Sequence, residues 1–231
     1  MQAMILAAGR GERLRPLTDV CPKPLLSLGN NETLISRTLR LLSNAGVQDV
    51  VINIAWLGEQ IEQALGDGKK FGVQIHYSPE FSGSLETAGG IANALPLLGN
   101  KPFIVVNGDI LTDIDFSCVC ETANQLTSKQ NACLWLVDNP VHNMQGDFGI
   151  DNGYLSLDVE PLYTFSGISA YHPDFFASVV RGERMPLLPL LREGAKNHTI
   201  LACRLTSNWL DVGTVARWEM AREFIARGII I

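Results

Sequence analysis

The segment Leu6-Ala7-Ala8-Gly9-Arg10-Gly11-Glu12-Arg13-Leu14-Arg15-Pro16-Leu17-Thr18, followed by Pro22-Lys23-Pro24, gathers glycines, cations and prolines just past a short apolar run. Small residues and two glycines let backbone N–H groups come close to a phosphate chain. The Arg13 guanidinium can hold phosphate oxygens through two parallel hydrogen bonds, while Lys23 supplies a point charge held between proline rings. In a chain whose formal net charge is −6, residues 9–23 set four cations against two carboxylates. A locally bound anion accounts for that inversion, and the overall acidity argues against a general nucleic-acid binder. Two familiar phosphate loops are excluded. A dinucleotide fingerprint needs a third glycine where Leu14 stands, and a Walker A loop needs Gly-Lys-Ser/Thr.

Carboxylates form the second set. Asn107-Gly108-Asp109 closes the apolar run Phe103–Asn107, at the edge where open α/β sheets bind ligands. Asp109 is therefore placed for Mg²⁺, which takes one or two carboxylates together with phosphate oxygens and water. Asp211, in Trp209-Leu210-Asp211-Val212-Gly213-Thr214, precedes a helical pattern and taken alone reads as an acid beside a positive helix end. Asp113 and Asp115 read as a solvated turn and a helix cap. His76, His142, His172 and His198 lack metal spacing and read as structural. The five cysteines make no C-x-x-C pair, so they read as free thiols in a reducing cytoplasm.

The pattern G-x-G-x-R-L-x-P-x-T with its downstream P-K-P resembles the signature of the sugar-phosphate nucleotidyltransferases, and the resemblance runs through nearly the whole chain. It implies a nucleoside triphosphate held by Ala7, Ala8, Gly9, Gly11, Glu12, Arg13 and Lys23, with Arg13 and Lys23 stabilising the displaced pyrophosphate. It implies Mg²⁺ at Asp109 and Asp211, which with Arg13 and Lys23 form the catalytic set. Leu85-Glu86-Thr87-Ala88-Gly89-Gly90 resembles the family's nucleobase and sugar loop, which brings in Glu86 and Gly89. Asn107, Gly149, Glu160 and Gly167 lie in segments that resemble sugar contacts. The reaction implied joins a nucleoside triphosphate to a sugar 1-phosphate and releases pyrophosphate. Ile52–Trp56, Leu136–Pro140 and Thr164–Ile168 narrow the resemblance to uridylyl transfer from UTP in cell-wall recycling. Guanylyl, thymidylyl or cytidylyl transfer to mannose or glucose 1-phosphate is the alternative. Cys21, Asn30-Asn31 and Ala88 depart from the family pattern without removing a charged group. The partners expected are small molecules, with neither nucleic acid nor membrane, and the chain is expected to act as a monomer or a dimer.

These residues need a scaffold. Apolar runs at 3–7, 50–54, 73–77, 103–107 and 132–137 read as strands, separated by apolar residues at helical spacing. That alternation predicts a single Rossmann-like α/β domain, with a mostly parallel sheet covered by helices on both faces. After residue 138 the pattern changes to a hairpin turning at Asn152-Gly153, a strand over 165–171, helical stretches around Met185-Pro186 and a last helix capped by Thr214. One domain spanning 1–231 is expected, with a nucleotide half over 1–138 and a small acceptor-binding half over 139–231. The N-terminus has no basic leader and no apolar run approaches the ~20 residues of a membrane helix, which points to the cytoplasm.

Overall fold

In the computed structural model, which describes residues 1–80 and 83–229, the apolar runs become strands within a residue or two of the expected bounds. The chain opens with β1 (Gln2–Leu6), the single turn α1 (Leu17–Val20) and a short ribbon of β2 (Ser27–Gly29) and β3 (Glu32–Thr33). Then come α2 (Leu34–Asn44), β4 (Asp49–Ile54), α3 (Gly58–Leu65), β5 (Gln74–Pro79), α4 (Glu86–Leu98) and β6 (Phe103–Asn107). Next are β7 (Ile110–Thr112), α5 (Phe116–Asn124), β8 (Ala132–Val137), the hairpin β9 (Gly149–Asp151) and β10 (Tyr154–Ser156), and β11 (Thr164–Tyr171). α6 (Leu188–Lys196), β12 (Ile200–Arg204), β13 (Trp209–Asp211) and α7 (Val215–Ala226) complete it.

Nine strands make the central sheet in the order β5-β4-β1-β6-β11-β8-β12-β10-β9. β5, β4, β1 and β6 are mutually parallel, β11 runs against both neighbours, and β12 is parallel to β8. The parallel character expected from the apolar runs thus belongs to the first half, and the second half is mixed. Helices lie on both faces. Alternate strand residues Ala3, Ile5, Val50, Ile52, Ile104 and Val106 pack with α2, α3 and α5. Met4, Val51, Val105 and Leu134 face α4 and α6 instead. That alternation is the period-two geometry of strands buried on both sides.

Local chemistry fixes the boundaries. Thr33 caps α2 by accepting from Ser36 N, and Ser36 Oγ accepts from Thr33 N in return. Thr214 accepts from Arg217 N at the start of α7, and Asp115 accepts from Ser117 N before α5. Asn152 and Gly153 both take positive φ, as a two-residue hairpin turn requires. Asp113 is no solvated turn, because its carboxylate accepts from both the backbone and the side chain of Asn208. A third apolar cluster joins α7 through Ala221 to Leu14, Leu26, Leu28 and Leu34, with Leu111 and Leu210 from β7 and β13. α7 therefore backs the glycine–arginine loop. No helix among the described residues is long and apolar enough to cross a membrane.

Candidate active site

β1 pairs with β4 on one side and β6 on the other, so Leu6 lies between Asn53 and Asn107 at one edge of the sheet. Here the winding of an open α/β sheet changes direction, and its strand ends leave a crevice. The chain leaves β1 into that crevice as Ala7-Ala8-Gly9. Ala7 donates its N–H to Asn53 Oδ1 at 2.8 Å, Asn53 Nδ2 donates to Glu80 Oε1 at 2.7 Å, and Leu85 N donates to Glu80 Oε2 at 2.7 Å. This buried relay ties the loop to the start of α4. Burial pushes the Glu80 carboxyl above its ordinary range, against the pull of the bonds from Asn53 and Leu85.

Gly11 turns the loop at φ 68°, and its carbonyl accepts from Thr18 Oγ1 at 2.9 Å. A β-carbon there would sit 3.1 Å from Thr18 and 3.2 Å from Lys23, so glycine serves both conformation and space. Around Gly9 a β-carbon would meet nothing within 4 Å, which leaves that stretch of backbone open to a ligand. Gly108 donates to the Leu6 carbonyl at 2.9 Å, and a β-carbon would stand 2.5 Å from that same oxygen.

Three adjoining cavities meet at Asn107. The first, about 260 Å³, is lined by Ala7, Ala8, Gly9, Gly11, Lys23 and Asp109, with Glu86 on its rim. A second, about 660 Å³, runs from Glu86 and Asn107 toward α6. The third, about 210 Å³, holds Asp109, His142, Gly167 and Asp211.

Asp109 and Asp211 meet because β7 and β13 pair antiparallel, with Asp211 opposite Ile110. Both carboxylates have cationic partners. Lys23 Nζ lies 2.5 Å from Asp109 Oδ2, and Arg217 Nη2 lies 3.2 Å from Asp211 Oδ2. His142 Nε2 lies 3.0 Å from Asp211 Oδ1, yet that buried oxygen has no hydrogen bond of adequate angle among the described residues. Burial raises the Asp211 carboxyl above its usual range; Arg217 and His142 oppose the shift and Asp109 adds to it.

Gly167 sits at φ 77° within an irregularity of β11, between Phe165 and Ser169, where a β-carbon would come 2.7 Å from Asn107 Nδ2. Irregular strands often re-aim backbone beside active sites. Glu86 also has positive φ, 63°, and pairs with Arg184 at 2.7 Å.

Five expected residues do not line these cavities. Glu12 is exposed in a 3₁₀ turn. Arg13 is exposed and has its guanidinium beside Gly213, outside the phosphate cleft. Gly89 is buried where a β-carbon would collide with the Glu183 carbonyl, and Gly149 is buried against Val159 in the same way. Both are packing glycines. Glu160 is exposed and accepts from Leu162 N in its own turn. His142, expected to be structural, lies instead against Asp211. Arg217, Asn53 and Glu80 were not foreseen: Asn53 and Glu80 acquire their roles through contacts distant in sequence, and Arg217 through the turn that brings α7 back to Asp211. The one available signal was Arg217, a cation in the first turn of a helix, where dipole chemistry favours acids.

A family model described as nucleotidyl transferase matches residues 2–151. The chain belongs to the nucleotidyl transferase family. This nucleotidyltransferase is 51% identical to the N-acetylmuramate alpha-1-phosphate uridylyltransferase of Neisseria meningitidis, over 96% of its own length and 97% of that protein's. It is 28% identical to a UTP–glucose-1-phosphate uridylyltransferase of Synechocystis, over 99% of its own length but only 64% of the relative's. A crystal structure of a putative glucose-1-phosphate thymidylyltransferase from Bacillus anthracis superposes with a TM-score of 0.85 over 100% of this chain and 97% of that one, at 22% identity. HddC from Yersinia pseudotuberculosis superposes at 0.80, over 97% of this chain and 99% of that one, at 20% identity. Those two likenesses speak to the fold of this nucleotidyltransferase.

Proposed function

We propose that the chain transfers uridylyl from UTP to N-acetylmuramic acid α-1-phosphate, releasing pyrophosphate. The observation that carries this reading is the 51% identity with the Neisseria enzyme, which extends over nearly the whole of both chains. In this reading residues 1–138 hold the nucleotide, and 139–231 hold the acceptor and contribute Asp211. A place in the cytoplasmic re-use of cell-wall sugars goes with it.

The acceptor's phosphate is already anionic near neutral pH, so its oxygen can attack the α-phosphorus in line without a general base. What the protein must supply is alignment and charge neutralisation. The open amides around Gly9 receive the triphosphate, and Lys23 exchanges Asp109 for a phosphate oxygen of the departing pyrophosphate. Asn107, propped by Gly167, stands where nucleotide and acceptor cavities join and orients the attacking group. Arg13 reaches the phosphates only by swinging away from Gly213.

A divalent ion fits the donors present. Asp109 and Asp211 are hard oxygen ligands facing one cavity, and Asp211 Oδ1 is buried without a hydrogen bond. Among the described residues no cluster of three His, Cys, Asp or Glu forms a full cage, as suits Mg²⁺, which keeps waters and phosphate oxygens in its shell. When bound, the ion would offset phosphate charge.

The test is a pyrophosphate-release screen of four nucleoside triphosphates against several sugar 1-phosphates. UTP with N-acetylmuramic acid 1-phosphate should be turned over fastest. Faster reaction of GTP with mannose 1-phosphate would overturn the reading.

A further inference from the structure

Apolar side chains, among them Leu157, Phe165, Leu187 and Leu191, form about half of the lining of the largest of the three cavities. Three charged side chains reach it: Glu86, Asp147 and Arg192. Glu86 is matched by Arg184 at 2.7 Å. Asp147 is spent on its own loop, accepting from Phe165 N at 2.8 Å and from Asn143 Nδ2 at 3.1 Å. Arg192 is the one cation lining the cavity, and it has no ion pair and no side-chain hydrogen bond among the described residues.

Its position on α6 is consistent with that role. Leu188, Leu191 and Arg192 stand at i, i+3 and i+4, one face of a helix, and all three line the cavity. Two of them are apolar wall, and the third ends in a fork of N–H donors suited to a carboxylate.

We infer that Arg192 is the residue that selects an acceptor bearing a carboxylate, pairing with the lactyl acid of N-acetylmuramic acid 1-phosphate. This rests on the substrate reading proposed above. The lactyl ether is the one feature that distinguishes this sugar from N-acetylglucosamine, and its acid loses part of its water against the apolar side chains that line half of the cavity. Such a loss is costly without a charged partner, and Arg192 is the cation positioned to provide one. A sugar with a plain hydroxyl at that carbon makes no use of it.

The experiment compares kcat/KM for N-acetylmuramic acid α-1-phosphate and N-acetylglucosamine α-1-phosphate, with UTP, in the full chain and in Arg192→Gln and Arg192→Lys. Arg192 is exposed, so solvent tempers the effect. Arg192→Gln should lose about 10- to 100-fold on the acidic sugar, mainly through KM. It should stay within about 2-fold of the unmodified chain on the neutral one. Arg192→Lys should recover part of the loss, since it restores charge without the fork. Equal losses on both sugars, or none on the acidic one, would overturn the assignment while leaving the substrate reading intact. If the unmodified chain itself failed to use the acidic sugar while turning over another sugar phosphate, the substrate reading would fall and take this assignment with it.

Discussion

Val212 donates its backbone N–H to the carbonyl of Asp109 at 2.8 Å, and this bond helps bring two distant carboxylates to one cavity. Three-residue strands carry the pairing, and Leu111 and Leu210 bury it against α7. Each carboxylate arrives with a cation, Lys23 for Asp109 and Arg217 for Asp211, which offsets part of their mutual repulsion across the cavity.

Replacing either acid tests that arrangement. Asp109→Asn and Asp211→Asn should each lower turnover by about 10²–10³ or more, the scale of a lost preorganised electrostatic contact. Circular dichroism should show the fold retained, and nucleotide affinity measured without divalent ion should change little. Chelation by EDTA should stop the reaction, and full activity in its presence would remove the ion from the account.

Lys23 and Arg13 should separate, although both belong to the phosphate-loop signature. Lys23 already lines the cleft, so Lys23→Ala should cost about 10²–10³ in kcat. Arg13 lies outside it, and Arg13→Ala should appear chiefly in KM for the nucleotide. Steady-state kinetics of the two variants checks the split. Equal effects on kcat would mean that Arg13 moves fully into the cleft.

Gly167→Ala should impair the site through its neighbour. A side chain at φ 77°, 2.7 Å from Asn107 Nδ2, should destabilise the fold by about 1–3 kcal/mol and push Asn107 out of line. Thermal unfolding together with KM for the acceptor reads both effects. A stable variant with unchanged KM would show that the bulge has room to spare.

How much was legible follows from how local each signal is. β1, β4, β6 and β8 are continuous apolar runs, and their periodicity is visible without knowing what they pack against. β7 and β13 span three residues each, too few for any period, so the meeting of Asp109 and Asp211 could be expected only from a family resemblance. β12 offers only four apolar residues, Ile200–Cys203, before Arg204, too short a run to tell strand from helix. Gly89 and Gly149 look like ligand-facing glycines in sequence, since close approach of backbone and of ligand both demand a missing side chain. Glu80 was invisible for the opposite reason: a buried acid is recognisable only once its partners Asn53 and Leu85 are in place.

Glu80 should make the stability of the fold depend on pH. Burial raises its carboxyl above the ordinary 4.5, outweighing the hydrogen bonds from Asn53 and Leu85. The folded chain therefore holds that proton more tightly than the unfolded chain does. Between the ordinary and the raised value the native state binds more protons, so stability falls as pH rises through this window and is regained as pH falls. Glu80→Gln removes the titration. Its amide must also point an NH₂ at one of two donors, at a cost of about 1–3 kcal/mol. Urea unfolding should find the variant less stable at neutral pH, with the gap widening as pH falls toward 4.5. Because the same carboxylate holds Asn53, and Asn53 holds Ala7, KM for the nucleotide should rise in the variant as well. A gap that stays constant with pH would mean that Glu80 titrates in the folded protein as it does in the unfolded chain. An unchanged KM would mean that the glycine loop keeps its shape without the relay.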